Sequence, residues 1–212
     1  MKAFLLAAGL GTRLRPLTLD TPKCLIPVCG KPILHWWIEL FEKHNVSEVL
    51  INLHHLPEKI EKYINSISSK IDFELVYEDK LLGSAGTLKK NKWFVEKEET
   101  FFVCYADNLT NYDLSNFINF HKKNSNPSSM ALFRTDNPKS CGIVNLNHKN
   151  TIIDFQEKPQ TPKGNIANAG LYIFSPEVID NIPDKEVSDI GFDLLPKLIG
   201  RMTGWKTKDY LI

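Results

Sequence analysis

The first sixteen residues constrain this chain more than any other stretch. Lys2-Ala3-Phe4-Leu5-Leu6-Ala7-Ala8 is an apolar run of strand character that empties directly into Gly9-Leu10-Gly11-Thr12-Arg13-Leu14-Arg15-Pro16. Lys23 follows ten residues after Arg13, next to Pro22. Glycine and small side chains let backbone amides approach an anion closely, and Arg and Lys add charge that the backbone lacks. Strand, glycine turn and two fixed cations together make a holder for a polyphosphate. Three readings of the glycine turn compete. A P-loop would end in Gly-Lys-Ser/Thr, whereas this turn ends in Gly11-Thr12-Arg13. A dinucleotide fingerprint needs a third small residue where Leu14 stands and a helix straight after it. Here Pro16, Pro22 and Pro27 keep the following stretch irregular. The third reading is a tight strand-to-loop turn with no ligand.

Beyond this turn the hydrophobic pattern alternates. Strands are expected at 2–8, 48–53, 73–77, 100–105 and 129–134, and helices at 33–43, 57–66, from 84 onward and at 114–123. Pro32 stands at a favourable first-turn position for the amphipathic helix from Ile33. The alternation predicts an α/β fold with a mostly parallel sheet and helices on both faces. After residue 138 the pattern changes. Segments 143–146 and 151–156 flank Asn147-His148-Lys149-Asn150 and read as a hairpin. A strand at 168–174, helices near 176–181 and 192–200 and a strand at 209–212 follow. In such a sheet ligands gather beyond the carboxyl ends of the strands. The first strand delivers Gly9 to Arg13 there, and the strand ending at Tyr105 delivers Asp107.

Composition narrows the function classes. Basic and acidic residues number 26 and 25, so no polyelectrolyte field for nucleic acid is expected. No apolar run approaches the ~20 residues of a membrane span, and the first strand carries the phosphate turn, so it does not read as a leader. Cys24, Cys29, Cys104 and Cys141 lack CxxC spacing and read as reduced thiols of a cytoplasmic protein. His54 and His55 are adjacent on a strand edge and point apart, which opposes joint metal ligation.

Leu6-Ala7-Ala8-Gly9-Leu10-Gly11-Thr12-Arg13-Leu14-x-Pro16-Leu17-Thr18, followed by Pro22-Lys23, resembles the signature of the sugar-1-phosphate nucleotidyltransferases, or nucleotide-sugar pyrophosphorylases. Five further segments follow in that family's order: Leu82-Gly83-Ser84-Ala85-Gly86-Thr87, Tyr105-Ala106-Asp107-Asn108, Cys141-Gly142-Ile143-Val144, Glu157-Lys158-Pro159 and Asn168-Ala169-Gly170-Leu171-Tyr172-Ile173-Phe174. The pattern is similar to mannose-1-phosphate guanylyltransferase-like members. The resemblance implies a Rossmann-like sheet flanked by helices with a smaller sugar-binding β/α portion, the GT-A-like nucleotidyltransferase fold. It implies a single domain over 1–212, with a nucleotide-binding half at 1–137 and a sugar-binding half at 138–212.

The implied reaction is attack of a sugar-1-phosphate oxygen on the α-phosphorus of an NTP, giving an NDP-sugar and pyrophosphate. Such transfer depends on positioning and charge neutralisation more than on acid–base help. By resemblance, Arg13 holds the departing pyrophosphate, Lys23 sits between the α-phosphate and the sugar phosphate, and Asp107 binds Mg²⁺. The nucleotide is expected against Leu6, Ala8, Gly9, Gly11, Thr12, Arg13, Lys23, Glu78 and Gly83. A carboxylate at Glu78 accepts hydrogen bonds only, which suits the donor edge of guanine or uracil and so GTP or UTP. Gly142, Glu157, Lys158 and Asn168 are expected at a mannose, heptose or related sugar. Bland alternatives stand beside each residue: a surface ion pair for Arg13, a turn or helix cap for Asp107, an exposed loop position for Glu78, solvated strand ends for Glu157 and Lys158, and a strand start for Asn168. A homodimer is the default assembly. In family members a strand like 209–212 continues into a second metal-binding Asp. The sequence stops before it, which reads as truncation and leaves a catalytically impaired or regulatory nucleotide- or sugar-binding subunit as the alternative.

Overall fold

A computed structural model gives the fold and describes residues 1–207; the strand expected at 209–212 lies outside the described residues. In chain order the elements are β1 (Lys2–Leu6), α1 (Leu17–Asp20), β2 (Pro27–Val28), β3 (Lys31–Pro32), α2 (Ile33–Lys43), β4 (Glu48–Leu53), α3 (Pro57–Ser66), β5 (Asp72–Tyr77) and α4 (Gly83–Lys90). They continue with β6 (Phe101–Tyr105), α5 (Leu114–Lys122), β7 (Ser128–Arg134), β8 (Gly142–Leu146), β9 (Ile152–Glu157), β10 (Ile166–Phe174) and β11 (Met202–Lys206). The expected helices and strands of the first 137 residues all form, with ends shifted by a residue or two.

The main sheet runs β11-β7-β10-β6-β1-β4-β5, with β8 and β9 attached through β10. β6, β1, β4 and β5 are mutually parallel, as are β11 and β7, whereas β10 runs antiparallel to both its neighbours. The chain leaves β1 towards β4 and β5, then returns to the other side of β1 as β6. That reversal opens a crevice at the carboxyl ends of β1 and β6, where open α/β sheets bind ligands. β10 and β11, from the second half of the sequence, are built into this same sheet.

Strand alternation assigns the two faces. Ala3 and Leu5, Val49 and Ile51, and Phe102 and Cys104 point into a core closed by α2, α3 and α5. Phe4 and Leu6, Leu50, and Phe101 and Val103 point into a second core closed by α4 and the turns of the last forty residues. Helix α2 forms because Ile33, Leu34, Trp37, Ile38, Leu40 and Phe41 recur at helical spacing and are all buried. Asp113 caps α5 by accepting from the Asn116 amide at 2.9 Å.

Three expectations are corrected. The helices near 176–181 and 192–200 form, but not as α-helices: 3₁₀ at Pro176–Asn181, a π-helix at Ile190–Leu194 and 3₁₀ at Leu195–Leu198, so the second begins earlier and is divided. Pro196 has no amide with which to continue an α-helix. The proline-rich stretch after Arg15 contains the four-residue helix α1. Strand β11 was not expected; its pattern is short and broken by Gly204, whose added Cβ would stand 2.5 Å from Leu132 Cδ1.

Candidate functional site

β1 and β6 pair in register to Leu6 opposite Tyr105, and the chain leaves both strands at the same edge. Past β1, Gly11 adopts the left-handed region at φ 61° and ψ 27°. A Cβ there would stand 2.7 Å from Thr18 Cγ2, and the Thr18 hydroxyl donates to the Gly11 carbonyl at 2.8 Å. Leu14 N also donates to that carbonyl, at 2.9 Å. The turn is therefore fixed by its carbonyls. Among the described residues, the backbone amides of Gly9 to Arg13 donate to no protein acceptor, which leaves a row of free donors suited to an anion. The Arg13 guanidinium is exposed and likewise has no protein partner among the described residues.

Lys23 opens a 3₁₀ turn, Lys23–Leu25, that brings its side chain back over the β1 edge. Its Nζ lies 2.5 Å from Asp107 Oδ2, with the side chains 27% and 38% exposed. These residues surround a cavity of about 350 Å³ bordered by Leu6, Ala8, Gly9, Gly11, Thr12, Arg13, Lys23, Glu78, Gly83 and Asp107. Every residue expected at the nucleotide thus borders one cavity.

Two of them also make contacts that the sequence does not disclose. Glu78 is 2% exposed. Its Oε1 accepts from Asn52 Nδ2 at 2.9 Å and Thr87 Oγ1 at 2.5 Å, and its Oε2 accepts from Leu82 N at 3.2 Å. Asn52 in turn accepts from the Ala7 amide at 2.8 Å. The carboxylate braces the cavity wall and is not an exposed loop Glu. Gly83 sits at φ 76°, and a Cβ on it would stand 2.3 Å from the Ser188 carbonyl oxygen. Its lack of a side chain serves close packing against the 188 segment. The Ser188 carbonyl accepts from the amides of Ala85 and Gly86 at 2.9 and 3.1 Å, which withdraws both from any phosphate.

A second cavity, of about 500 Å³, is bordered by Gly142, Glu157, Lys158 and Asn168. Tyr105 borders both cavities. The Glu157 side chain is 15% exposed, and burial raises its pKa above the ordinary 4.5, with the nearby Asp189 charge adding and Lys158 opposing. A Cβ on Gly142 or on Gly191 would stand 2.7 Å from Glu157 Oε2, so two glycines make the slot that holds this carboxylate. Lys158 Nζ lies 3.8 Å from Glu157 Oε1. Asn168 borders the cavity with both polar groups engaged: Nδ2 donates to Tyr172 OH at 2.7 Å and Oδ1 accepts from Gly170 N at 2.9 Å. It pins the bulge of β10 between Asn168 and Tyr172.

Asn52, Tyr105, Asp189 and Gly191 also border the cavities and are not among the expected site residues, although Tyr105 opens the segment that carries Asp107. The two adjacent histidines serve separate elements, His54 Nδ1 at 2.7 Å from the Glu78 carbonyl and His55 Nε2 at 2.7 Å from the Thr18 carbonyl. Among the described residues no group of three or more His, Cys, Asp and Glu side chains gathers around a common point. Mg²⁺ does not require one, because it is commonly held by one or two carboxylates together with substrate phosphates and water. Asp107, a hard oxygen donor facing the cavity, fits that pattern.

Residues 2–206 match the model of the family described as Nucleotidyl transferase. The chain belongs to the nucleotidyl transferase family. The chain is 36% identical over 217 residues to UTP–glucose-1-phosphate uridylyltransferase of Synechocystis sp., an overlap covering 94% of this chain and 55% of that protein. It is 35% identical over 206 residues to mannose-1-phosphate guanyltransferase 2 of Candida glabrata, covering 94% and 56%. The chain thus spans about half the length of the curated relatives it matches. Among solved structures, HddC from Yersinia pseudotuberculosis superposes with a TM-score of 0.82 at 27% identity, covering 100% of this chain and 92% of that one. HddC complexed with GMP-PN gives 0.83 at 25% identity, with the same coverage. The mixed α/β fold with a mostly parallel sheet is the fold of these neighbours. Among the described residues no helix is long and apolar enough to cross a membrane.

Proposed function

We propose that this chain transfers a nucleotidyl group from an NTP to a sugar-1-phosphate, giving an NDP-sugar and pyrophosphate. The observation that carries this reading is the pair of cavities meeting at Tyr105: one lined by free amides and fixed cations, the other by a half-buried carboxylate with a lysine beside it.

The free amides of Gly9 to Arg13 and the Arg13 guanidinium hold the β- and γ-phosphates and stabilise the leaving pyrophosphate. Lys23, released from Asp107, moves onto the α-phosphate and the incoming sugar phosphate. Asp107 would hold Mg²⁺, which when bound supplies charge neutralisation on phosphate oxygens. Glu157 accepts from sugar hydroxyls, and Lys158 reaches the sugar phosphate. Gly142 leaves room for the Glu157 carboxylate at the sugar cavity, while Asn168 shapes the floor through the β10 bulge. Residues 1–137 then supply most of the nucleotide cavity and 138–207 most of the sugar cavity. Because a phosphate monoester is already an anionic nucleophile, the work is alignment and charge balance.

The relatives' names divide between uridylyl and guanylyl transfer and between glucose- and mannose-1-phosphate. GTP or UTP, with mannose-1-phosphate or a related sugar phosphate, are therefore the substrates we propose. Pyrophosphate release with Mg²⁺, measured over four NTPs and a panel of sugar-1-phosphates, tests the reading. Turnover with a preferred pair supports it. Silence across the panel while nucleotide still binds overturns it.

A further inference from the structure

We propose that Ser84 and Asp189 are positioning residues whose bridge holds the nucleotide cavity and the sugar cavity at a fixed separation. This deepens the two-substrate reading above and rests on it. Ser84 stands on the first turn of α4 and borders the nucleotide cavity. Asp189 stands before the Ile190–Leu194 turn and borders the sugar cavity. They are 105 residues apart, yet Ser84 Oγ donates to Asp189 Oδ2 at 2.9 Å and accepts from the buried Ile190 amide at 2.8 Å. Asp189 Oδ1 accepts from the amides of Gly191 and Phe192 at 2.8 and 3.2 Å.

The backbone reinforces the bridge. Ser188 N donates to the Leu82 carbonyl at 2.9 Å, and the Ser188 carbonyl accepts from Ala85 and Gly86. Gly83 is the residue that lets the two segments come this close, since a Cβ on it would meet three backbone atoms of Ser188 within 3.2 Å. On the sugar side, a Cβ on Gly191 would stand 3.1 Å from Asp189 Oδ1 and 2.7 Å from Glu157 Oε2. A continuous line of close contacts therefore runs from the nucleotide cavity through Ser84, Asp189 and Gly191 to the Glu157 carboxylate. In-line transfer joins two substrates held by two walls, and a displacement of about 1 Å between reacting groups can cost about 100-fold in rate. Cutting this line leaves each cavity intact and lets the walls drift.

The test has two arms, both on the full chain with GTP or UTP and mannose-1-phosphate as probes. In the first, steady-state kinetics and thermal unfolding are measured for Ser84→Ala, Asp189→Asn and Ser84→Thr. Ser84→Ala and Asp189→Asn are expected to lower kcat about 10- to 100-fold while both KM values stay within about threefold. Ser84→Thr, which keeps the hydroxyl, is expected to retain turnover. An unchanged kcat, a loss confined to one KM, or a Thr variant as impaired as the Ala variant would overturn the proposal. In the second arm, hydrogen exchange of residues 188–192 is followed as nucleotide is added. Exchange is expected to slow in the unmodified chain and not in Ser84→Ala; the same response in both overturns the bridge. This arm needs no turnover. Transmitted protection without pyrophosphate release would sink the two-substrate reading and sustain the bridge, and absence of nucleotide binding would remove both.

Discussion

Lys23 Nζ rests 2.5 Å from Asp107 Oδ2, so the cation and the carboxylate expected to handle phosphate and metal neutralise one another before any ligand arrives. One comes from a turn after β1 and the other from the turn after β6, so the contact also reports how closely the two strand ends approach. Both side chains are more than a quarter exposed, and an exposed pair of this kind contributes only about 0–1 kcal/mol to folding. Lys23→Ala and Asp107→Asn are therefore expected to leave the thermal midpoint within a few degrees of the parent. The same substitutions are expected to reduce pyrophosphate release by about 10²- to 10³-fold, the scale for loss of one preorganised charge-stabilising group. Paired melting curves and initial rates check this; a large fall in stability with turnover retained would reverse the assignment.

The glycines separate ligand-facing positions from packing positions. Nothing lies within 4 Å of a Cβ added to Gly9, whereas one added to Gly83 would stand 2.3 Å from the Ser188 carbonyl oxygen at a φ of 76°. Gly9→Ala is expected to leave stability within about 0.5 kcal/mol of the parent. It should weaken nucleotide binding about tenfold or more, because the new methyl stands beside the free amides. Gly83→Ala should destabilise by about 2–3 kcal/mol through backbone strain and overpacking. Calorimetric nucleotide titration and urea unfolding on the two variants would show the effects on opposite axes.

Much of this arrangement is readable from local sequence. Pro32 and the spacing of Ile33, Leu34, Trp37 and Phe41 specify α2, and the apolar run into Gly9 specifies β1 and the phosphate turn. Gly9 to Arg13 and Asp107 reach their cavity because they follow the ends of β1 and β6, where local pattern suffices. What sequence does not disclose is which partner a side chain meets across the fold. The partners of Glu78 come from elsewhere in the chain: β4 brings Asn52, and α4 brings Thr87, against its carboxylate. The close packing of Gly83 against Ser188 is likewise absent from the local sequence. Strand β11 is invisible because its identity comes from pairing with β7 and from nothing in its own short pattern.

Two buried histidines contribute to the acid side of the stability profile. Burial lowers the pKa of His44 and of His121 below the ordinary 6.5, only partly opposed at His44 by Asp113. Their folded-state values lie below those of the unfolded chain, so the unfolded chain takes up protons first as pH falls. Their contribution is complete above about 6.5 and is lost progressively as pH drops towards the folded-state values. Urea midpoints are expected to decline from pH 7.5 to 5.5. His121→Gln, which can still bond to Ser129 but cannot titrate, should flatten that decline; an equal decline in the variant would assign it to other groups.

Glu157 makes the last prediction, because its two environments pull on one proton. Burial and the Asp189 charge raise its pKa above 4.5, while Lys158 holds it back. As an acceptor for sugar hydroxyls it must be ionised, and a raised pKa means that it is protonated at higher pH than an exposed glutamate. kcat/KM for the sugar-1-phosphate should then fall on acidification through an apparent pKa above 4.5. Glu157→Gln should abolish that limb and raise the sugar KM about 10- to 100-fold, as expected for losing a charged acceptor, with the NTP KM little changed. Asp189→Asn removes a neighbouring negative charge, so ionisation of Glu157 becomes easier and the limb should move to lower pH even as kcat falls. A purely structural Asp189 would leave the limb where it was, so the pH profile separates the electrostatic role of this residue from its role in holding the two walls together.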